Sequence, residues 1–164
     1  MGQVLSESEL MAAVADDRAA GRTIALANGC FDLLHVGHVR YLRGAAAEAD
    51  RLIVAVNEDA SVAKLKGRGR PAMPASERAE IVAAIGVVDY VVTFADDTVE
   101  RLLRRIQPDV HCKGTDYTVD TVPERAVVQS YGGRTAIVGD AKQHASRDLV
   151  KKIATNDQRP MTND

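Results

Sequence analysis

The chain has no tryptophan, two phenylalanines and four tyrosines, so aromatic packing cannot build its interior and the task falls to Ala, Val, Leu and Ile. Its two cysteines, Cys30 and Cys112, fit neither a disulfide framework nor a metal motif, and a reduced, cytoplasmic setting is expected. Neither charge sign dominates. With 21 Lys and Arg against 23 Asp and Glu, the formal charge is −2, which gives no footing for nucleic acid or an anionic membrane. Any cationic site must be local. No apolar run approaches the roughly 18 residues of a membrane span. The opening "MGQVLSESEL" lacks the basic start and apolar stretch of a signal peptide.

What is present alternates. A helix is expected over 6–21, where Ser6 and Glu9 form a capping box and Gly21 stops the element. The apolar runs "TIALAN", "RLIVAVN", "VDYVVTF", "DVHCKG" and "RTAIVG" have strand length, and helices are expected over 35–49, 58–64, 76–85, 96–106, 123–131 and 145–154. Strands with no polar alternation, each followed by a helix, imply a parallel sheet covered on both faces. The expectation is one doubly wound, Rossmann-like α/β domain with a five-stranded parallel sheet. It comprises an N-terminal helix in 1–22, the main domain in 23–154 and a flexible tail in 155–164. Ligands bind such sheets beyond the carboxyl ends of the strands, which directs attention to 28–38, 57–74, 94–97, 113–122 and 139–147.

The first of these turns holds two of the chain's four histidines, in "GCFDLLHVGH". His35 and His38 fall in the first turn of a helix, and three-residue spacing puts both rings on one face. The helix start offers unpaired N–H groups and the positive end of the dipole. Gly37 clears space for an anion to approach the backbone, and Gly29 permits the tight turn. Two imidazoles beside backbone donors suit phosphate oxygens that gain negative charge. Zinc binding and simple core filling are competing readings of the pair. The turn lacks G-x-G-x-x-G, and no P-loop is present.

The loop "KLKGRGR" gathers Lys64, Lys66, Arg68 and Arg70 between glycines, as a flap over anions or a solvated basic loop. Lys113 closes an apolar strand, where a lysine needs an anionic partner. His111, inside that strand, reads as structural.

"GCFDLLHVGH" resembles the H-x-G-H signature of the nucleotidyltransferase superfamily. The stretch "RLIVAVNEDASVAKLKGRGRPAMPASERAEIVAAIGVVDYVVTF", with "KGTDY" and "YGGR", resembles the D-glycero-β-D-manno-heptose 1-phosphate adenylyltransferases. The resemblance runs from about Thr23 to Ile153. It implies transfer of AMP from ATP to a heptose 1-phosphate, with pyrophosphate released and ADP-heptose formed for surface glycans such as lipopolysaccharide. It also implies Mg²⁺ carried mainly by the triphosphate, no protein metal cage, and a homodimer. The absence of room for a kinase implies the stand-alone form, linked to a separate heptose kinase.

By resemblance, His35, His38 and Lys66 carry the chemistry. Asp32 is the acid of the turn, orienting a histidine, a ligand hydroxyl or the metal, with a plain turn or cap role as the competing reading. Asn28, Gly29, Cys30, Phe31 and Gly37 line the nucleotide side. Arg78 is a phosphate contact, or else a surface pair with Glu77 or Glu80. Lys113, Gly114 and Asp116 touch acceptor or nucleotide. Where relatives carry Ser-Thr-Thr, this chain has Ala145, Ser146 and Arg147, preceded by His144. Ser146 and Arg147 are expected to meet the triphosphate. The substitution leaves substrate identity open, and a CTP-dependent enzyme for glycerol 3-phosphate or another small phosphate ester is the second reading. A non-catalytic nucleotide-binding module is the third.

Overall fold

The computed structural model describes residues 1–140 together with Val150, Lys151 and Ile153. In chain order the elements are β1 (Gln3–Val4), α1 (Glu7–Ala19), β2 (Ile24–Gly29), α2 (Val36–Ala46), β3 (Arg51–Asn57) and α3 (Asp59–Lys66). They continue with α4 (Ala75–Ala83), β4 (Tyr90–Phe94), α5 (Glu100–Ile106), β5 (Val110–Gly114), α6 (Arg125–Ser130) and β6 (Arg134–Val138). All strand pairs are parallel, in the order β1-β4-β3-β2-β5-β6.

Alternation along the strands divides the core in two. Ala25, Ala27, Leu52, Val54 and Val56 face Leu42 and Ala45 of α2 and Ala79, Val82 and Ala83 of α4. Ile24, Leu26, Ile53 and Ala55 face Leu10 and Val14 of α1, Leu102, Leu103 and Ile106 of α5, and Val127 and Val128 of α6. Small strand residues let the helices lie close. At Gly44 in α2, a Cβ would come within 3.0 Å of the backbone nitrogen of Gly139 and of Val138 Cβ.

The sheet has six strands, not the five expected. The extra one is β1, two exposed residues whose length carries no readable period. Backbone geometry makes it: Gly2 N donates to Ala83 O at 2.8 Å, Gln3 N to Asp89 O at 2.9 Å and Leu5 N to Val91 O at 2.9 Å. A side chain at position 2 would stand 2.7 Å from Val88 O. The capping box is present, with Ser6 N donating to Glu9 Oε2 at 2.8 Å and Glu9 N to Ser6 Oγ at 3.3 Å. Most helices are shorter than expected, although α3 runs on to Lys66 and α4 starts one residue early at Ala75. In particular, α5 begins at Glu100, and Asp96 instead accepts Arg101 Nε at 2.9 Å. A 3₁₀ turn at Val119–Thr121 precedes α6.

From β2 the chain builds outward through β3 and β4, then returns to add β5 and β6 on the other side. The direction of winding reverses between β2 and β5. A crevice at that point, beyond the carboxyl ends of the strands, is where such a fold binds ligands.

Candidate active site

A cleft of about 380 Å³ opens at this reversal point. One wall comes from the end of β2 and the start of α2: Asn28, Gly29, Cys30, Phe31, His35, Gly37 and His38. The turn is tight because Phe31 takes a left-handed conformation, φ 46°, and buries its ring under Gly29. A Cβ at position 29 would meet that ring at 3.2 Å, so glycine is what the packing permits. The Phe31 ring then lies 5.4 Å from the His38 ring.

His35 caps α2 in an extended conformation, and its backbone N–H donates to His38 Nδ1 at 3.3 Å. The two imidazoles stack, centroids 3.9 Å apart and planes 27° from parallel. That contact fixes the His38 ring. Burial, with the charges of His35 and Lys66 adding to it, pushes His38 down to about 4. His38 is therefore neutral at neutral pH in the open cleft, and an anion brought beside it would favour the charged form. Lys66, exposed at the end of α3, stands on the rim beside Leu65.

The opposite wall comes from β5 and β6: Lys113, Gly114, Thr115, Asp116, Tyr117, Val138, Gly139 and Asp140. Lys113 Nζ donates to Asn28 Oδ1 at 3.1 Å and to Glu124 Oε1 at 3.2 Å, and lies 5.5 Å from the Tyr117 ring centre. Burial pushes the Lys113 ammonium below its ordinary value, and Glu124 opposes that shift. His111 Nε2 also lies 3.1 Å from Asn28 Oδ1. A lysine only donates, so Asn28 Oδ1 accepts from both neighbours and His111 holds its proton on Nε2. Burial first, and Lys113 second, push His111 down to about 3. The structural reading of His111 agrees with this geometry.

Two expected site residues, Asp32 and Arg78, lie behind the cleft rather than on its wall. Asp32, expected to orient a histidine, a ligand hydroxyl or the metal or else to serve as a plain turn or cap residue, has its partners in the 70–74 segment. The residue is 1% exposed. Its Oδ1 accepts from Ala72 N at 2.7 Å and its Oδ2 pairs with Arg70 at 2.5 Å. Arg78 is fully buried and makes no pair with Glu77 or Glu80. Its guanidinium donates to the Cys30 carbonyl, to Met73 O at 3.0 Å and to Asp59 Oδ1 at 2.7 Å. Both side chains use their charge to bind the 70–74 segment to the turn after β2. Lys64 pairs with Asp97 at 2.8 Å on the exposed surface.

Tyr41, Asn57, Thr115 and Asp140 line the cleft without having been singled out from the sequence, and Glu124 stands behind Lys113. Tyr41 follows His38 by three residues, a helical spacing that would have found it. Asp140 follows a strand end, and it pairs with Arg40 while its carbonyl accepts Thr115 Oγ1 at 2.8 Å. Glu124, which precedes α6, carries no local signal, because its partner Lys113 lies on β5. His144, Ser146 and Arg147 lie outside the described residues. Among the described residues no group of three or more His, Cys, Asp or Glu is placed to share a metal ion. No helix among them is long and apolar enough to cross a membrane.

A family model described as cytidylyltransferase-like matches residues 26–160. The chain belongs to this cytidylyltransferase-like family. It is a nucleotidyltransferase. It is 50% identical over 150 residues to a bifunctional protein HldE of Ectopseudomonas mendocina, covering 92% of this chain and 32% of that protein. The HldE of Pseudomonas aeruginosa strain PAO1 is 48% identical and that of Azotobacter vinelandii 47%, with the same coverage. The chain thus spans about a third of the length of these curated relatives. A lipopolysaccharide core biosynthesis protein from Thermoplasma volcanium shares the fold, with a TM-score of 0.64 and 24% identity over 74% of this chain and all of that one.

Proposed function

We propose that the protein transfers AMP from ATP to D-glycero-β-D-manno-heptose 1-phosphate, forming ADP-heptose and pyrophosphate. The observation that carries this reading is the stacked His35–His38 pair on one wall of a cleft whose other wall presents Lys113. The 47–50% identity to HldE proteins supports the choice of a heptose phosphate as acceptor.

In this mechanism an oxygen of the acceptor phosphate attacks the α-phosphorus of ATP in line. The new P–O bond forms as the bond to the bridging oxygen of pyrophosphate breaks, so no covalent enzyme intermediate is needed. Catalysis then consists of positioning and charge stabilisation. His38 and His35 donate to phosphate oxygens as charge shifts toward the leaving group, in a partly buried setting where such bonds are strong. The backbone at Gly29–Phe31 and the start of α2 receive phosphate oxygens. Lys66 closes on the triphosphate from the rim, and Lys113 with Asp116 meets the ligand from the β5 side. Mg²⁺ would be carried by the triphosphate. The ion would neutralise part of the polyphosphate charge, beside Lys66 at the rim. Ser146 and Arg147 belong to the triphosphate side in this reading. The acceptor must already be phosphorylated, so a kinase reaction precedes this one.

The test is pyrophosphate release with Mg²⁺ across ATP, CTP, GTP and UTP, each paired with heptose 1-phosphate or glycerol 3-phosphate. Turnover with ATP and the heptose is expected. Turnover confined to CTP or to glycerol 3-phosphate would move the substrate assignment. Nucleotide binding without turnover on any pair would overturn the catalytic reading.

A further inference from the structure

We infer that Glu124 is a positioning residue, which holds the Lys113 ammonium charged and aimed at the anionic ligand of the cleft. This rests on the nucleotidyltransferase reading of that cleft. Lys113 is a cleft residue, yet its side chain is only 10% exposed and that of Glu124 only 8%. An ammonium so far removed from water needs a matching charge. Glu124 Oε1 provides it at 3.2 Å, while Asn28 Oδ1 takes a second N–H at 3.1 Å. The ammonium has three donors, which leaves one for the cleft.

Glu124 has no competing task that explains its burial. It precedes α6, but its side chain makes no capping hydrogen bond. Its Oε2 is buried with no hydrogen-bond partner. The neighbouring Arg125 points its charge elsewhere, to Asp120 at 2.7 Å. Among the described residues the one polar partner of the Glu124 side chain is Lys113. A carboxylate buried under these conditions is retained because the lysine beside it must stay charged and in place.

The charged and titratable groups around Lys113 come from every neighbouring element. His111 on β5 is neutral, and Asn28 at the end of β2 is uncharged. Asp116 and Tyr117 follow β5, Asp140 follows β6, and Tyr41 lies on α2. Among the described residues, the charged group within hydrogen-bond distance of the ammonium is Glu124. Burial lowers the basicity of Lys113 and Glu124 raises it. Removing the carboxylate therefore leaves burial unopposed. Lys113 then loses its proton at a lower pH, and activity fails on the alkaline side earlier than in the wild type.

The experiment uses the full chain and two readouts. The first is the pH dependence of Lys113 labelling by trace acetic anhydride without substrate, followed by mass spectrometry. The second is the pH profile of pyrophosphate release. In Glu124→Gln the labelling midpoint is expected to fall by about one pH unit or more. The alkaline limb of kcat is expected to move with it, while KM for ATP changes by less than about twofold. Coincident labelling midpoints in the two proteins would overturn the inference, as would a shifted midpoint with an unmoved kcat limb. If the wild type turns over no substrate pair, the activity reading fails, and the labelling midpoints alone decide the Glu124 assignment. Should Glu124→Gln fail to fold, Glu124→Asp carries the test. Its shorter carboxylate is expected to give part of the shift, and an unchanged midpoint with unchanged kcat would overturn the inference.

Discussion

Asp32 accepts the backbone N–H of Ala72 at 2.7 Å across 40 residues of sequence. The same carboxylate pairs with Arg70 at 2.5 Å, so one buried side chain joins the histidine turn to the basic loop after α3. The loop is thus anchored at its far end, while Gly67 and Gly69 adopt φ values of 88° and 79° and are open to space. Lys66 sits at the near end of this arc. Asp32→Asn keeps an acceptor for Ala72 but leaves Arg70, 17% exposed, without its counter-charge. Stability is expected to fall by roughly 3 kcal/mol, as for other pairs broken away from water. Urea unfolding checks the stability, and an accompanying rise in KM for the triphosphate checks the loop's role.

Arg78→Lys preserves charge but replaces a planar fork by a point donor. Three acceptors on three segments (Cys30 O, Met73 O and Asp59 Oδ1) depend on that fork. A loss of about 1–3 kcal/mol is expected, because buried carbonyls are left unanswered. The distinguishing readout is kcat: it falls with stability here, whereas a direct phosphate ligand would alter KM at unchanged stability.

His38→Ala is expected to lower kcat by roughly 10²–10³-fold with little change in the thermal midpoint. Pyrophosphate release in steady state measures the first and calorimetry the second. Wild-type kcat in this variant would remove the central role of the stacked pair. Because His38 is neutral in the open cleft and pushed down to about 4, nucleotide binding near pH 6 is also expected to take up protons. Titration calorimetry in buffers of different ionisation enthalpy reads that uptake directly.

Stability itself should depend on pH through the histidines. His111 is pushed down to about 3 and His38 to about 4, against about 6.5 in an unfolded chain. Below 6.5 the unfolded chain binds protons that the folded one refuses. Their contribution is complete above pH 6.5 and is lost as the pH falls toward 3–4. His111→Gln, whose amide nitrogen can take the place of Nε2 beside Asn28, is expected to flatten that fall. Unfolding midpoints from pH 7 to 4 provide the check.

Lys66→Ala removes an exposed rim cation. KM for the nucleotide is expected to rise at low ionic strength, with the difference from wild type shrinking above about 0.3 M salt as screening takes over. kcat/KM measured along a salt series separates this from a loss of fold.

Local chemistry made much of this legible. Ser6 and Glu9 announce α1 because a capping box is satisfied within four residues. Apolar runs such as "RLIVAVN" announce buried strands, and the alternating order implies a parallel sheet. The histidine turn was readable because its residues are consecutive. What escaped depends on distant partners. The two residues of β1 become a strand only because Val88–Val91 and Ala83 accept or offer the matching backbone groups. Arg78 reads as a surface or phosphate-facing arginine until Cys30, Met73 and Asp59 converge on it. Glu124 has nothing near it in sequence to mark it, since Lys113 lies across a loop and a 3₁₀ turn.

Gly44 gives the cleft a property that its lining does not reveal. With α2 resting so close to Gly139 N and Val138 Cβ that a methyl group at position 44 would have to push one of them aside, helix and strand exit are gauged against each other. This contact helps to set the gap between the histidine wall and the β6 wall. Side chains at Thr115, Asp116 or Tyr117, which line the cleft, can be exchanged to retune its contacts while that gauge stays the same. A change of size class in the ligand would have to begin at the glycine.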